Sequence, residues 1–150
     1  MNKTAYYESL IRDIRNLTMD VDDALANYAN AAAAIYHALP DINWAGFYLL
    51  KKNTLVLGPF QGKPACVFIE MGKGVCGTTA ERRETLIVDD VLCFPGHISC
   101  DADSRSEIVV PVIKNNKLCA LIDIDSPRKN RFDETDKKYL EDIADLLPEL

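Results

Sequence analysis

This chain of 150 residues has few of the residues that commonly bind metals through nitrogen or sulfur: two histidines and five cysteines. None of the cysteines forms a Cys-x-x-Cys pair, the spacing that structural zinc sites usually show. Cys93, His97 and Cys100 place three soft donors close together, but without such a pair we expect no metal site and no cofactor. The missing ligand pairs also disfavour a zinc-dependent hydrolase.

Basic charge and long apolar runs are lacking too. The net charge is -6, and the short basic stretch at 128–131 is interpreted as a solvated turn. Nucleic acids and anionic membranes attract basic patches, so we expect neither as a partner. No apolar run approaches the ~20 residues that span a bilayer, and the N-terminal "MNKTAYYESL" has no apolar signal segment. We therefore expect a cytoplasmic protein, whose odd number of cysteines is not a disulfide scaffold.

Linkers, repeats and low-complexity tracts are also absent, so residues 1–150 are predicted to form a single domain. Apolar residues at helical spacing predict two helices in the first forty residues, the second capped by Asp20, and a closing helix capped by Asp133. The runs between them alternate and are separated by turn signals. We predict an α+β domain, with a mostly antiparallel sheet of five or six strands and the terminal helices packed on it.

Two acidic residues lie at the end of the last predicted strand. In "LCALIDID", strand alternation puts Asp123 and Asp125 on one face, together with Cys119. Two partly desolvated carboxyls in such proximity should raise the pKa of one of them, which gives the protonated group that a general acid requires. Turn-forming acids at the end of a strand give the same pattern, and spacing alone favours that simpler interpretation.

The position of Glu107 depends on the register of the last hairpin. A two-residue turn at Asn115–Asn116 would pair Glu107 with Ile124 and send it to the face opposite the two aspartates. An odd-length connection, or a bulge near Pro111, would bring all three carboxyls to one side, and proline inside a strand often marks a bulge or an edge. We predict one of these devices.

Cys100 lies in a long predicted loop, from Leu92 to Ser106, and loops of this length are often functional. A reactive thiolate needs exposure and stabilised negative charge. His97, three residues earlier, either supplies that stabilisation or holds the loop by hydrogen bonds.

The other cysteines have less distinctive positions. Cys66 lies at the start of a predicted strand and Cys76 in the glycine-rich turn "GKGVCGT". Both are candidates for a disulfide, although sequence does not give the separation that a disulfide requires. Cys119 is expected to be an inert core residue, and Cys93 has no assigned role.

Two aromatic residues, Trp44 and Tyr48, lie four apart on a predicted strand and share a face. They are either core residues or, beside the carboxyls, an apolar wall that holds a small thioether-like or methyl group.

Six blocks, in this order, resemble those of the free methionine-(R)-sulfoxide reductases, a family with a GAF-type fold. They are "NWAGFY", "GPFQGKPAC", "GKGVCGT", "FPGHISCD", "SEIVVP" and "LIDIDS", within a similarity that runs from about Trp44 to Phe132. The resemblance implies a GAF-like fold and the reduction of free L-methionine-(R)-sulfoxide to methionine. A non-catalytic GAF-like sensor is the alternative, although a pure binding module has no need of the thiols.

The resemblance also implies roles for individual residues. Cys100 would be the nucleophile and Cys66 the principal resolving thiol, with Cys76 as an auxiliary or alternative partner. The intramolecular disulfide would be reduced by thioredoxin or a similar dithiol. The substrate pocket would be formed by Trp44, Tyr48, Glu107, Asp123 and Asp125. The oligomeric state is left open, a homodimer included.

Overall fold

The computed structural model describes residues 2–97 and 101–150. The elements within these ranges follow the order α1 (Lys3–Thr18), α2 (Ala24–Ala38), β1 (Trp44–Lys51), β2 (Thr54–Gly62), β3 (Phe68–Glu70), α3 (Gly74–Arg82), β4 (Leu86–Val88), a 3₁₀-helix (Val91–Cys93), β5 (Ser106–Lys114), β6 (Lys117–Ser126) and α4 (Glu134–Leu146). The strands form one antiparallel sheet in the order β3-β2-β1-β6-β5-β4. The predicted α+β architecture is confirmed. No helix in the described ranges has the length and apolarity needed to cross a bilayer.

Aspartate caps were predicted for two helices, α2 and α4, and both helices do begin after an aspartate. The prediction that Asp20 caps the second helix is wrong: Asp23 is the cap, and its side chain accepts a hydrogen bond from the amide of Ala26. Asp20 instead adopts a left-handed φ of 62° in the turn between α1 and α2. Asp133 caps α4 as predicted, in a reciprocal capping box with Asp136.

The two faces of the sheet are covered differently. On one face, α2 and α4 contact the strands and α1 packs on α2 and α4, around a large apolar core that includes Phe47, Ile108 and Ile122. On the other face, α3 contributes Val75 and Ala80 to a smaller core. The central strands are thus buried on both sides, which explains their nearly continuous apolar sequence.

A bulge sets the register of the β5–β6 hairpin. Asn115 and Asn116 form a two-residue turn with φ of 52° and 63°, as two-residue hairpin turns require. The register shifts between Val112 and Ile113, so that Glu107 pairs with Asp125 rather than with Ile124. The predicted bulge near Pro111 is confirmed.

The same bulge overturns the prediction that Cys119 shares a sheet face with the two aspartates. Val112 pairs with Ala120 while Ile113 pairs with Leu118, which leaves Cys119 as the extra residue. Because the alternation is broken there, Cys119 packs partly buried against the helix-covered core and not on the face of the aspartates. Its thiol donates to the carbonyl of Val112 at 3.2 Å.

Candidate active site

Three carboxyls meet on the sheet face that α3 covers. Glu107 is only 6 % exposed and Asp123 5 %, while Asp125 is partly buried. Burial raises the pKa of all three, and the charges of the neighbouring aspartates raise the pKa of Glu107 further. The predicted rise in a carboxyl pKa is confirmed, and the cluster therefore retains protons at pH values where exposed carboxyls are ionised.

Asp123 has an oxygen without a partner. Its Oδ1 atom is buried and accepts no hydrogen bond from the described residues. Most buried polar atoms in folded proteins have a partner. This atom is therefore a natural acceptor for a donor group on a bound molecule.

Cys76 lies beside the carboxyls, in the first turn of α3 and not in a glycine-rich turn as predicted. Its sulfur and the carboxyl oxygens of Glu107 and Asp123 lie within 4.8 Å of one another. Burial, followed by the charges of Asp123 and Glu107, raises the pKa of the Cys76 thiol well above its ordinary value. The free thiol is therefore protonated at neutral pH, which is unlike the thiolate of a nucleophilic cysteine.

A glycine lets α3 approach the strand that precedes it. A side chain at Gly77 would collide with the carbonyl oxygen of Glu70 at the end of β3. Gly77 thus permits close packing at the start of α3, while Gly72, with a φ of 79°, lies in the predicted turn before the helix.

The aromatic wall is also part of the core. Trp44 and Tyr48 are stacked with their ring centroids 6.1 Å apart, and both are almost fully buried. The indole nitrogen of Trp44 donates to the carbonyl of Lys63 at 3.0 Å, and the Tyr48 hydroxyl donates to the carbonyl of Cys66 at 2.9 Å. The two rings therefore anchor the segment that carries Cys66 to the site.

The carboxyls, Cys76 and the aromatic wall line one cavity of about 570 Å³, counting the open space at its mouth. All five predicted substrate-binding residues line it, and so does His97. Burial lowers the pKa of His97, which argues against a fixed positive charge at neutral pH.

Cys66 lies in the irregular segment between β2 and β3, and not at a strand start as predicted. Its carbonyl accepts from Tyr48 instead of joining a strand ladder. Cys66 is disulfide-bonded, whereas Cys76, Cys93 and Cys119 carry free thiols. Cys100, the predicted nucleophile, lies outside the described residues.

Cys93 is exposed in the 3₁₀-helix, and its sulfur lies 3.6 Å from a carboxylate oxygen of Asp90. It does not line the cavity.

A polar network that was not predicted from the sequence includes Asp101 and Ser104, which line the cavity. The side-chain amide of Asn43 donates to Asp101 and to Ser104, each at 3.2 Å, and Lys63 pairs with Asp103 at 3.1 Å. These contacts connect the loop before β5 to β1 and to the end of β2. The one signal in the sequence for this network was that Asp101 directly follows Cys100, the predicted nucleophile.

Ionisation of the cluster should be visible in the stability of the protein. Because folding raises the pKa of Glu107 above its ordinary value of 4.5, the free energy of unfolding falls as the pH rises above that value, by about 1.4 kcal/mol per unit of pKa shift once the folded pKa is passed. Glu107→Gln removes this loss. The free energy of unfolding of the variant, relative to that of the wild type, should therefore increase between about pH 5 and pH 8. Urea unfolding at several pH values tests this, with exposed Glu84→Gln as the control. A constant difference across the pH range would contradict it.

Comparison with known proteins gives the family. The GAF domain model matches residues 13–147. The chain belongs to the GAF domain family. It is 52 % identical to Protein YtsP of Bacillus subtilis, over 97 % of this chain and 91 % of that protein.

Two further comparisons confirm the resemblance to free methionine-R-sulfoxide reductases. The chain is 49 % identical to the Escherichia coli free methionine-R-sulfoxide reductase, over 96 % of this chain and 87 % of that protein. A solved structure that is similar to this one is the Neisseria meningitidis free methionine-R-sulfoxide reductase in complex with its substrate. Its sequence is 41 % identical to this chain, and the TM-score is 0.95 over 98 % of this chain and 89 % of that one.

Proposed function

We propose that this protein reduces free L-methionine-(R)-sulfoxide to methionine. The observation that carries the proposal is the group of three carboxyls, two buried and one partly buried, beside an aromatic wall in one cavity. The similarity to reductases of this name, over nearly the whole chain, supports it.

The carboxyl cluster suits the ammonium group of a free amino acid. An ammonium donates three hydrogen bonds and favours ionised carboxyls nearby, and Asp123 Oδ1 is an acceptor without a partner. Methionine sulfoxide within a peptide has an amide in place of the ammonium. The cluster should therefore favour the free amino acid. Trp44 and Tyr48 would contact the methyl group and the side-chain carbons of the substrate.

The chemical step requires a nucleophilic thiol and a proton. The Cys100 sulfur attacks the sulfoxide sulfur while a protonated carboxyl of the cluster donates to the oxygen. The attack forms a bond between the two sulfurs. That bond then breaks as the protonated oxygen moves to the Cys100 sulfur, and its electron pair stays on the substrate sulfur, so that Cys100 is oxidised by two electrons to a sulfenic acid and the sulfoxide is reduced by two electrons to methionine.

Cys66 then attacks the sulfenic acid and releases water, which leaves a disulfide with Cys100. The disulfide-bonded state of Cys66 supports a resolving role, and the buried, protonated thiol of Cys76 supports an auxiliary one. A dithiol reductant such as thioredoxin restores both thiols by exchange.

Cys66→Ser should separate the first chemical step from recycling. Without the resolving thiol, one methionine per protein forms at a normal rate, but continued turnover with thioredoxin as reductant falls at least about tenfold because the sulfenic acid is not resolved. Rapid-quench single-turnover and steady-state assays measure the two rates, with Cys119→Ser, on the opposite face, as the control. Unchanged steady-state turnover would remove Cys66 from the cycle.

The proposed activity itself is tested by incubating the protein with dithiothreitol and either epimer of free methionine sulfoxide. Methionine should form from the R epimer and not from the S epimer. Absence of methionine with the R epimer, while that epimer still binds, would favour a sensor instead.

A further inference from the structure

Cys76, Glu107 and Asp123 form a convergent donor set that the reaction does not fully use. The three residues come from α3, β5 and β6, and all are buried. Their ligand atoms lie within 4.8 Å of one another. Because they come from three separate elements, no spacing in the sequence identifies them as a group.

A second observation points into the same place. Asp123 Oδ1 has no hydrogen-bond partner although Asp123 is 95 % buried, as its exposed fraction is 5 %. A buried carboxylate oxygen without a donor is energetically costly unless something binds it.

We propose that Cys76, Glu107 and Asp123 bind a thiophilic divalent cation, of which zinc is the representative, when no substrate occupies the cavity. The cation displaces the thiol proton and any carboxyl protons to solvent, and no electrons are transferred. This is a reversible ligand of the site and not a cofactor of the reaction.

The donor types select the cation. Zinc accepts one cysteine sulfur and carboxylate oxygens at bond lengths of about 2.0–2.3 Å. Magnesium and calcium prefer six or more oxygen ligands, so a sulfur donor and a small ligand number disfavour them. Tetrahedral geometry at these lengths separates ligand atoms by roughly 3.3–3.8 Å, so modest side-chain movement brings the three to coordination distance.

The charge of the three ligands also favours a divalent cation. Without a cation the three ligands hold protons, and when they lose them a divalent cation offsets two of the three negative charges, leaving a net charge of minus one. Water from the cavity, or Asp125 at its edge, can supply a fourth ligand.

The cation would compete with the substrate. This consequence rests on the proposed function, because the cation would occupy the position assigned to the substrate ammonium. Binding of the cation itself does not depend on that function, and the experiment below involves no turnover.

The test uses a variant in which the other four cysteines are replaced by serine, leaving Cys76 as the sole thiol. Titration with cobalt(II) under a phosphine reductant should give a thiolate-to-cobalt charge-transfer band that saturates at one ion per chain and disappears when zinc is added. Glu107→Gln on the same background should weaken the affinity at least tenfold. Glu84→Gln, an exposed acid outside the cavity, should leave it unchanged.

Absence of the band in the folded variant, or an equal affinity in Glu107→Gln, would overturn the proposal. Circular dichroism establishes that each variant is folded. If the four-serine variant does not fold, zinc binding is measured instead by calorimetry on reduced proteins that carry a single substitution. Cys76→Ser should bind one zinc fewer than Cys93→Ser. Equal stoichiometry would overturn the proposal.

Discussion

Cys100→Ser is expected to lower the turnover of free methionine-(R)-sulfoxide by about 10⁴-fold or more, the scale seen when a catalytic nucleophile is removed. A serine hydroxyl at neutral pH does not attack the sulfoxide sulfur as a thiolate does, and it cannot accept the oxygen as a sulfenic acid. Initial rates with dithiothreitol as reductant measure the loss.

The matched control for this variant is Cys93→Ser, which changes an exposed thiol outside the cavity. It should keep nearly full turnover, and under reducing conditions, where no protein carries a disulfide, both variants should unfold at the wild-type midpoint. Substantial residual turnover in a folded Cys100→Ser protein would remove Cys100 from the mechanism, and Cys76, the thiol beside the carboxyls, would then be the next candidate.

Asp125→Asn is expected to raise KM for the free amino acid roughly 10- to 100-fold, the equivalent of about 1.4–2.7 kcal/mol of lost interaction with the substrate ammonium. Asparagine keeps the size of the side chain but removes the carboxyl group, which lies directly opposite Glu107 on the neighbouring strand. Substrate-dependence curves measure KM and kcat separately.

Asp142→Asn is the control for this second variant, because it makes the same chemical change at an exposed position of α4. Its kinetic constants should equal those of the wild type. Unchanged KM and kcat in Asp125→Asn would show that the carboxyl cluster does not bind the substrate.

The sequence predicted the architecture well because the signals involved are local. Apolar periodicity and turn residues define the helices and strands, and Pro111 marked the neighbourhood of the bulge that aligns Glu107 with Asp125. The residue that bulges could not be located from the sequence, so Cys119 was assigned to the wrong face.

Errors arose where two residues carry the same local signal. Asp20 and Asp23 are both good helix caps by type, and only the turn after α1 decides between them. The glycines before Cys76 do form a turn, with φ of 79° at Gly72, but α3 begins at Gly74, so Cys76 lies in the helix and not in the turn.

The polar contacts of Asn43 have no pattern in the sequence that predicts them. Asn43 contacts Asp101 and Ser104 from about sixty residues away. The unpartnered oxygen of Asp123 likewise depends on what surrounds it in three dimensions and not on its neighbours in the chain.

The most direct test of the account compares kcat/KM for free L-methionine-(R)-sulfoxide with that for its N-acetyl derivative, in which the ammonium becomes an uncharged amide. If the buried carboxyls bind the ammonium, the free amino acid should be preferred by about 100-fold or more, the equivalent of about 2.7 kcal/mol, and Asp125→Asn should shrink that preference. Equal values for the two substrates would contradict the central claim that this acidic cluster selects the free amino acid.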